Sequence, residues 1–259
     1  MKKIKRNRID ICNICRETKP LSWDHVPPKG GIKLTSIEIQ GIFELISGQT
    51  KGQKKISQNG VKYRTICSDC NSKIGTEFDP ELNKLNKTII EFLQSSSVLQ
   101  KYSIIKVKPV RLMKAVLAHL LTAKHNIDEV VTDSKIRETL FSDDISIPDD
   151  FHIHYWIYPF NCTVIMRDFA LPAETGNYAN CAVANMIKYF PLAFIVSDKE
   201  NFRELDSLSK YRNLEIDDVV NLKIDLGKIQ DLDWPERVDE NNIVFMSAES
   251  TNGIFAKPR

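Results

Sequence analysis

Apolar residues recur at helical spacing in several segments of this chain. The clearest case is residues 109–124, whose apolar stripe consists of Met113, Val116, Leu117, Leu120 and Leu121. Similar patterns, bounded by residues that typically start or stop helices, predict further helices at 35–47, 68–76, 79–94, 133–141 and 199–210. Helices are therefore predicted in both halves of the chain.

Segments rich in β-branched and aromatic residues alternate with these helices. They predict strands at 21–26, 61–66, 151–158, 162–169, 179–190, 191–198, 218–225 and 243–248. Pro159, Phe160 and Asn161 separate two of these strands and predict a hairpin, whereas the polar residues 48–60 predict a loop. The pattern predicts an α+β fold with an antiparallel sheet in the rear half.

Charge divides the chain near the point where the secondary-structure pattern changes. Residues 1–110 contain 20 Lys or Arg and 10 Asp or Glu, whereas residues 111–259 contain 16 and 24. The serines at 95–97 mark a predicted boundary between a domain at 1–98 and an acidic α+β domain at 99–259. The basic front half indicates a polyanionic partner, and the acidic rear half indicates a different role.

Composition excludes several classes of protein. The 259 residues are 42% hydrophobic and 27% charged, which is typical of a globular chain and excludes fibrous or disordered classes. No run of eighteen apolar residues occurs, so we expect no association with a membrane, and the basic first ten residues lack the apolar segment of a secretory signal. We expect a cytoplasmic protein, in which cysteines serve as metal ligands or buried thiols.

Four of the six cysteines occur as two CxxC pairs. Cys12 and Cys15 form the first pair, and Cys67 and Cys70 form the second. Two such pairs complete a tetrahedral shell of four thiolates, which is typical of structural zinc and leaves no position open for water. The sequence therefore predicts a structural Zn²⁺ site.

Polar residues beside these pairs provide candidate chemistry. Asp24 and His25 end a predicted strand, and Asn71 directly follows Cys70 at the start of a predicted helix. Carboxylate and amide oxygens are suitable ligands for Mg²⁺, and a neighbouring histidine that binds no metal can act as a general base. These are the groups that metal-assisted phosphodiester hydrolysis requires.

The run CNIC, WDHVPPKGG and ICSDCN resembles the HNH (His-Me finger, ββα-metal) endonucleases. The resemblance is to the four-cysteine zinc subtype with an Asp-His and Asn core, which includes phage endonuclease VII. It implies an N-terminal zinc-stabilised ββα-metal, treble-clef-like nuclease domain in residues 1–98. It also implies that Asp24 and Asn71 hold Mg²⁺ or Mn²⁺ and that His25 activates water. The middle Asn of the family pattern has its nearest match in Asn59.

The resemblance implies a metal-dependent endonuclease that hydrolyses DNA with weak sequence specificity. Lys29, Arg64 and Lys73 are the basic residues nearest to the core in sequence, so we expect them to contact phosphates. Such a nuclease must be restrained in its host, which by analogy suggests a regulated bacterial anti-phage or restriction effector. Residues 99–259 would then bind a regulatory protein, a second messenger or another copy of the chain.

Two alternatives remain open at this point. One is a zinc module that binds nucleic acid without catalysis, and the other is an adaptor whose zinc finger is purely structural. The substrate form (duplex, single strand, junction or RNA) is also open. His119 and His125 lie on or after a predicted helix with no evident partner in the sequence.

Overall fold

The computed structural model describes residues 6–46, 54–95, 100–128, 130–142, 146–174, 176–238, 243–246 and 253–259. The helices are α1 (Ile42–Ile46), α2 (Ser68–Glu77), α3 (Asp79–Gln94), α4 (Pro109–Thr122) and α5 (Val131–Leu140). The strands of the front half are β1 (Ile9–Ile11), β2 (Thr18–His25), β3 (Ile37–Gly41), β4 (Lys55–Ser57), β5 (Lys62–Cys67) and β6 (Tyr102–Val107). The strands of the rear half are β7 (His152–Ile157), β8 (Thr163–Pro172), β9 (Cys181–Tyr189), β10 (Leu192–Ser197), β11 (Asp206–Ser207), β12 (Val220–Asp225), β13 (Phe245–Met246) and β14 (Gly253–Pro258). The expected α+β class with antiparallel strands is confirmed.

A small sheet, the turn between its first two strands and one helix contain both cysteine pairs. Strands β1, β2 and β5 pair in that order, and α2 begins immediately where β5 ends. We call β1, the turn that follows it (residues 12–17), β2, β5 and α2 the finger. A register shift between Ser22 and Asp24 shows that a bulge interrupts the β2–β5 pairing just before the end of β2. Such bulges bend a strand and re-aim the side chains that follow.

A large sheet contains most of the rear strands. Its order is β11-β7-β10-β9-β8-β14-β3-β4, and β13 also pairs with β8. The predicted hairpin between residues 151–158 and 162–169 is wrong, because β7 pairs with β10 and β11. The reason is that β9 and β10 are joined by a tight connection through Phe190 and Pro191, so β10 occupies the position beside β7.

Two predicted helices are also wrong. Within the helix predicted at 35–47, residues 37–46 form β3 followed by the short α1, because Ile37 to Gly41 extend along β14, and residue 47 lies outside the described part. In 199–210 the chain forms β11 and the start of a 3-10 helix, and positive φ angles at Arg203 and Glu204 exclude a continuous α-helix. Residues 48–53 of the predicted loop lie outside the described part, and β4 forms within the rest.

The large sheet combines strands from both halves of the chain. Strands β3 and β4 belong to the basic front half, yet β3 pairs with β14 near the end of the chain. The division at residue 98 stays a prediction. None of the helices in the described part of the chain has the length and apolarity needed to span a membrane.

Helix α4 is the central element of the core. Thirteen of its fourteen residues are buried. Its C-terminal end is fixed to the finger, because the Asn13 amide donates to the carbonyl oxygens of Leu121 and Lys124 at 2.9 and 2.7 Å. The Thr65 hydroxyl of β5 donates to the Thr122 carbonyl at 2.6 Å. The side chains of α4 therefore help to form the environment of the finger.

Candidate functional site

The four paired cysteines converge in space. The sulfur atoms of Cys12, Cys15, Cys67 and Cys70 all lie within 4.8 Å of one another. A tetrahedral zinc ion with Zn–S bonds of about 2.3 Å separates its ligands by about 3.8 Å. The Sγ atoms of Cys15 and Cys67 are 3.9 Å apart, which matches that separation. The group can therefore hold a structural metal ion such as zinc.

Local backbone geometry prepares these sulfurs for a cation. The backbone N–H groups of Ile14 and Cys67 point at the Cys12 sulfur, at 3.4 and 3.3 Å. A hydrogen bond from the Cys70 thiol, together with those amides, lowers the pKa of Cys12 to about 4. Burial and the charge of Cys12 raise the pKa of Cys15 to about 11. A cation would favour the thiolate form at all four positions.

The cysteine cluster fixes α2 against β2. Asn71 is one residue beyond Cys70, and its amide donates to Ser22 Oγ at 3.1 Å and to the Trp23 carbonyl at 3.2 Å. The predicted proximity of Asn71 to the end of β2 is therefore observed. In the part of the chain that the structure describes, no hydrogen bond links the Asn71 amide to Asp24 or His25.

A glycine turn holds the end of β2 against α3. Residues Lys29–Gly31 form a 3-10 turn after the two prolines that follow β2. A Cβ atom on Gly31 would lie 2.8 Å from Asn83 Oδ1 and 2.9 Å from Asn83 Cα. The turn can therefore approach α3 only without side chains at this point. This contact places β2 beside the start of α3, where Asp79 lies.

Asp24 faces a buried histidine that sequence analysis left without a partner. Asp24 is only 9% exposed, and its Oδ2 lies 3.7 Å from His119 Nδ1. The other ring nitrogen of His119 is 2.8 Å from Asp79 Oδ1. Burial raises the pKa of Asp24, and the charge of Asp79 adds to that shift while His119 opposes it. Burial opposes the protonated form of His119, but the charge and hydrogen bond of Asp79, together with the charge of Asp24, raise its pKa overall.

His25 lies in a cationic environment that keeps its imidazole neutral. Burial lowers the pKa of His25, and the charges of Lys62 and Lys29 lower it further, while a backbone hydrogen bond at Asn59 opposes both effects. Its Nε2 atom is buried and makes no hydrogen bond in the described part of the chain. A neutral imidazole with one free nitrogen can accept a proton.

Trp23 presents an exposed aromatic surface next to these residues. Its side chain is 59% exposed, and the Arg64 guanidinium and the Lys62 ammonium lie 5.4 and 6.0 Å from its ring centroid. The ring borders a groove of about 710 Å³, whose lining also includes Arg6 and Lys55. Arg6 is buried and paired with Asp10, so the exposed ring with Lys55, Lys62 and Arg64 forms the surface that is suited to a nucleic-acid strand.

The three predicted phosphate-binding residues occupy different places. Lys29 is exposed in the glycine turn near His25, and Arg64 lies under Trp23, where its Nη2 donates to the Arg6 carbonyl at 2.9 Å. Lys73 instead lies 4.1 Å from the centroid of the Phe141 ring and 4.0 Å from Glu77 Oε1. Lys29 and Arg64 are therefore near the end of β2, whereas the Lys73 side chain points towards Phe141, which directly follows α5.

Sequence analysis missed Asp79, His119, Lys62 and Trp23. The sequence did contain a signal for His119, because it is a polar residue in a helix whose flanking positions are apolar and buried. Asp79 resembled a residue that starts a helix, and nothing in the spacing linked it to position 119, forty residues away. These contacts depend on tertiary packing of α3 against α4.

Comparisons with known proteins give no relatives for this arrangement. No family model matches the chain, and the searches of curated proteins and of solved structures found no significant match. The interpretation of the site therefore rests on the residues and contacts of this chain.

Proposed function

We propose that the protein is a metal-dependent HNH-type endonuclease. The observation that carries the proposal is the juxtaposition of Asp24 and His25 at the end of β2, beside a four-cysteine cluster that fits structural zinc. Asp24 Oδ2 and His25 Nε2 are both buried without a hydrogen-bond partner that meets strict geometry in the described structure. Buried polar atoms without partners indicate that a water, ion or ligand belongs there.

Each residue has a proposed role in hydrolysis. His25 accepts a proton from the attacking water through its free Nε2 atom, and burial together with the neighbouring lysines lowers its pKa and favours the neutral imidazole beforehand. Asp24, with Asn71 on α2, would hold Mg²⁺ or Mn²⁺. When bound, that ion supplies electrostatic stabilisation of the developing negative charge on phosphate. We expect the products to carry 5′-phosphate and 3′-hydroxyl ends.

The substrate is proposed from the surface around Trp23. Arg64, Lys62 and Lys29 surround the end of β2 with positive charge, and phosphate contacts of this kind bind DNA without reading its sequence. We therefore propose weak sequence specificity. The role as a regulated anti-phage or restriction effector, controlled through residues 99–259, stays a proposal that rests on analogy of architecture.

A zinc module that binds nucleic acid without catalysis is the second candidate. Two observations favour it: Asp24 is only 9% exposed, and the Asn71 amide is bonded to Ser22 and the Trp23 backbone. A nuclease requires that a hydrated ion and a phosphate reach Asp24. The two candidates share the finger and the groove, and they differ only in whether phosphodiester bonds are broken.

A cleavage assay with several substrates separates these candidates. The zinc-loaded full chain is incubated with supercoiled plasmid, linear duplex, single-stranded DNA and RNA, in Mg²⁺, in Mn²⁺ and in EDTA. The proposal predicts cleavage of at least one DNA substrate with divalent metal and none in EDTA. Salt-sensitive binding of all substrates without any cleavage would support the second candidate, and absence of binding would support an adaptor role.

A further inference from the structure

The groove beside Trp23 has two walls of different chemistry. The finger forms one wall, which contains the exposed Trp23 ring. The large sheet forms the other wall, which is aliphatic and consists of Ile39 on β3, Ile56 on β4 and Ile254 on β14. Ile56 is 52% exposed on an edge strand. The volume of about 710 Å³ lies within the range of about 300–1,000 Å³ that is typical of small-molecule sites, so the groove has room for a nucleotide.

The charged groups of the groove are all of one sign. Its lining includes Lys55, Lys62 and Arg64, and none of the lining residues in the described part of the chain is acidic. Tyr63 and His125 also line it, with ring centroids 5.0 Å apart. Burial raises the pKa of Tyr63, and burial with the charges of neighbouring cations lowers the pKa of His125 to about 4. Both groups are therefore neutral at pH 7, and cations beside a neutral apolar surface fit the phosphates and the base of a nucleotide.

The groove begins beside the proposed catalytic base. Lys62 lines the groove, pairs with His25 in the β2–β5 register, and helps to lower the pKa of His25 by its charge. Trp23 precedes His25 by two residues, which corresponds to about 7 Å along a strand. Successive nucleotides of one stacked DNA strand are about 3.4 Å apart. A base on Trp23 would therefore lie within about two nucleotides of a phosphate at His25.

An aromatic side chain can stack only on a base whose face is free. In a paired duplex each base is stacked between its neighbours, and the base must be extruded before a protein ring can reach its face. Phosphate contacts alone do not distinguish paired from unpaired strands in this way. The exposed Trp23 ring and the aliphatic wall opposite it are thus suited to an unpaired base.

We propose that the groove binds an unpaired base of the DNA strand within about two nucleotides of the scissile phosphate, so that the substrate is single-stranded or locally unpaired DNA. The inference rests on the proposed function for the position of the cut, and it adds the class of substrate. Trp23 stacks on the base, and the aliphatic wall contacts its other side. The flanking phosphates contact the cations of the groove, which are Lys55, Lys62 and Arg64.

Binding is measured first, without added divalent metal, so that cleavage does not interfere. Fluorescence anisotropy compares the affinity of the zinc-loaded full chain for a single strand, for its fully paired duplex and for the same duplex with a short central bubble. Because a paired base must first be extruded, the single strand and the bubble are expected to bind at least about tenfold more tightly than the duplex. Poly-glutamate of matched charge is expected to compete poorly.

Ile56→Glu tests the aliphatic wall. The substitution places a negative charge in the groove at a position that is already exposed, so it is not expected to disturb folding. Binding of the single strand is expected to weaken by about 5–150-fold, which corresponds to the loss of one stacked base, and the preference over duplex is expected to disappear. Ile104→Glu is the matched control, since Ile104 is 61% exposed on β6 outside the groove lining.

An abasic site moved along the single strand tests recognition of the base itself. With Mg²⁺ present, an abasic site within about two nucleotides of the cut is expected to slow cleavage by about 5–150-fold, whereas abasic sites further away have little effect. Trp23→Ala is expected to lose this dependence on position, because no stacked base remains to be removed. Equal cleavage for every position of the abasic site in the wild type would overturn the inference.

The outcomes distinguish failure of this inference from failure of the proposed function. Equal affinity for single strand and duplex, or an Ile56→Glu variant that keeps the preference, overturns the inference, while cleavage of duplex by the wild type leaves the nuclease standing. A preference that Ile56→Glu abolishes, without cleavage of any probe, supports the base site and overturns the proposed hydrolysis. Equally strong competition by poly-glutamate overturns base recognition in favour of an acidic peptide. If Ile56→Glu does not fold, the wild-type comparisons alone decide.

Discussion

At the scale of single residues, two neighbours on one strand occupy opposite environments. Side chains alternate across a strand, so Asp24 enters the core beside His119 while Trp23 faces solvent. The sequence WDHV shows this alternation only in part, since a short polar pair is compatible with either face. The chemical groups of this segment were predictable from its residue types, but the residues that contact each side chain were not.

Trp23 is expected to contribute to nucleic-acid binding by stacking. Replacing it with alanine should weaken binding of a short single-stranded oligonucleotide by about 5–150-fold, since a stacked base contributes about 1–3 kcal/mol. Fluorescence anisotropy without added divalent metal measures the dissociation constant. Tyr102→Ala is the matched control, because Tyr102 is also exposed beside a lysine. Equal affinities for the wild type and Trp23→Ala would exclude the stacking role.

His154 is expected to make stability depend on pH. Burial lowers its pKa to about 4, so the unfolded chain binds a proton below pH 6.5 before the folded chain does. The contribution of neutral His154 to the free energy of unfolding is fully present above pH 6.5 and declines as the pH falls towards 4. Between pH 7 and pH 5 the free energy of unfolding is expected to fall by about 2 kcal/mol. Urea unfolding of the wild type and His154→Gln at both pH values measures the difference. The same pH dependence in both proteins would contradict this account.

At the scale of elements, the cysteine cluster joins the turn between β1 and β2 to the end of β5 and the first turn of α2. The spacing of the two CxxC pairs was sufficient to predict it, because a tetrahedral ion restricts where four thiolates can lie. Strands β2 and β5 and helix α2 beside the cysteines were also predicted, whereas β1 was not, and the predicted hairpin at 159–161 is wrong. Strand pairing depends on which edge remains available after β9 and β10 have joined, and local sequence does not contain that information.

Loss of one cluster cysteine is expected to release α2 from β2. Cys70→Ser should bind less than one equivalent of zinc and should lower the thermal unfolding midpoint, since structural zinc contributes directly to folding. Cys181→Ser is the control, because Cys181 lies outside the cluster. Zinc content by mass spectrometry and calorimetric unfolding provide the measurements. Full zinc binding and unchanged stability in Cys70→Ser would contradict a four-thiolate site.

At the scale of the whole molecule, elements of the front half pack and pair with elements of the rear half. The halves differ in charge, and the serines at 95–97 marked the predicted boundary at residue 98. In the structure, α4 packs against β5, and β3 pairs with β14. A pairing between positions more than two hundred residues apart leaves no local signal in the sequence, so the cooperation of the halves could not be predicted.

A fragment of residues 1–98 is therefore expected not to fold alone. It lacks the α4 carbonyl oxygens that pair with Asn13 and Thr65, and it lacks the strand that pairs with β3. We expect circular dichroism to show no cooperative thermal transition for the zinc-loaded fragment, whereas the full chain unfolds cooperatively. A sharp transition in the fragment would show that the front half is an independent domain.

The central claim is that His25 is the base of a metal-dependent nuclease. The most direct measurement compares single-turnover cleavage of DNA by the wild type, His25→Ala and a His152→Ala control, each with its zinc content verified. The account predicts that His25→Ala cuts about 10²–10⁴-fold more slowly while binding DNA normally, and that His152→Ala retains the wild-type rate. Equal cleavage rates for the wild type and His25→Ala would contradict the account.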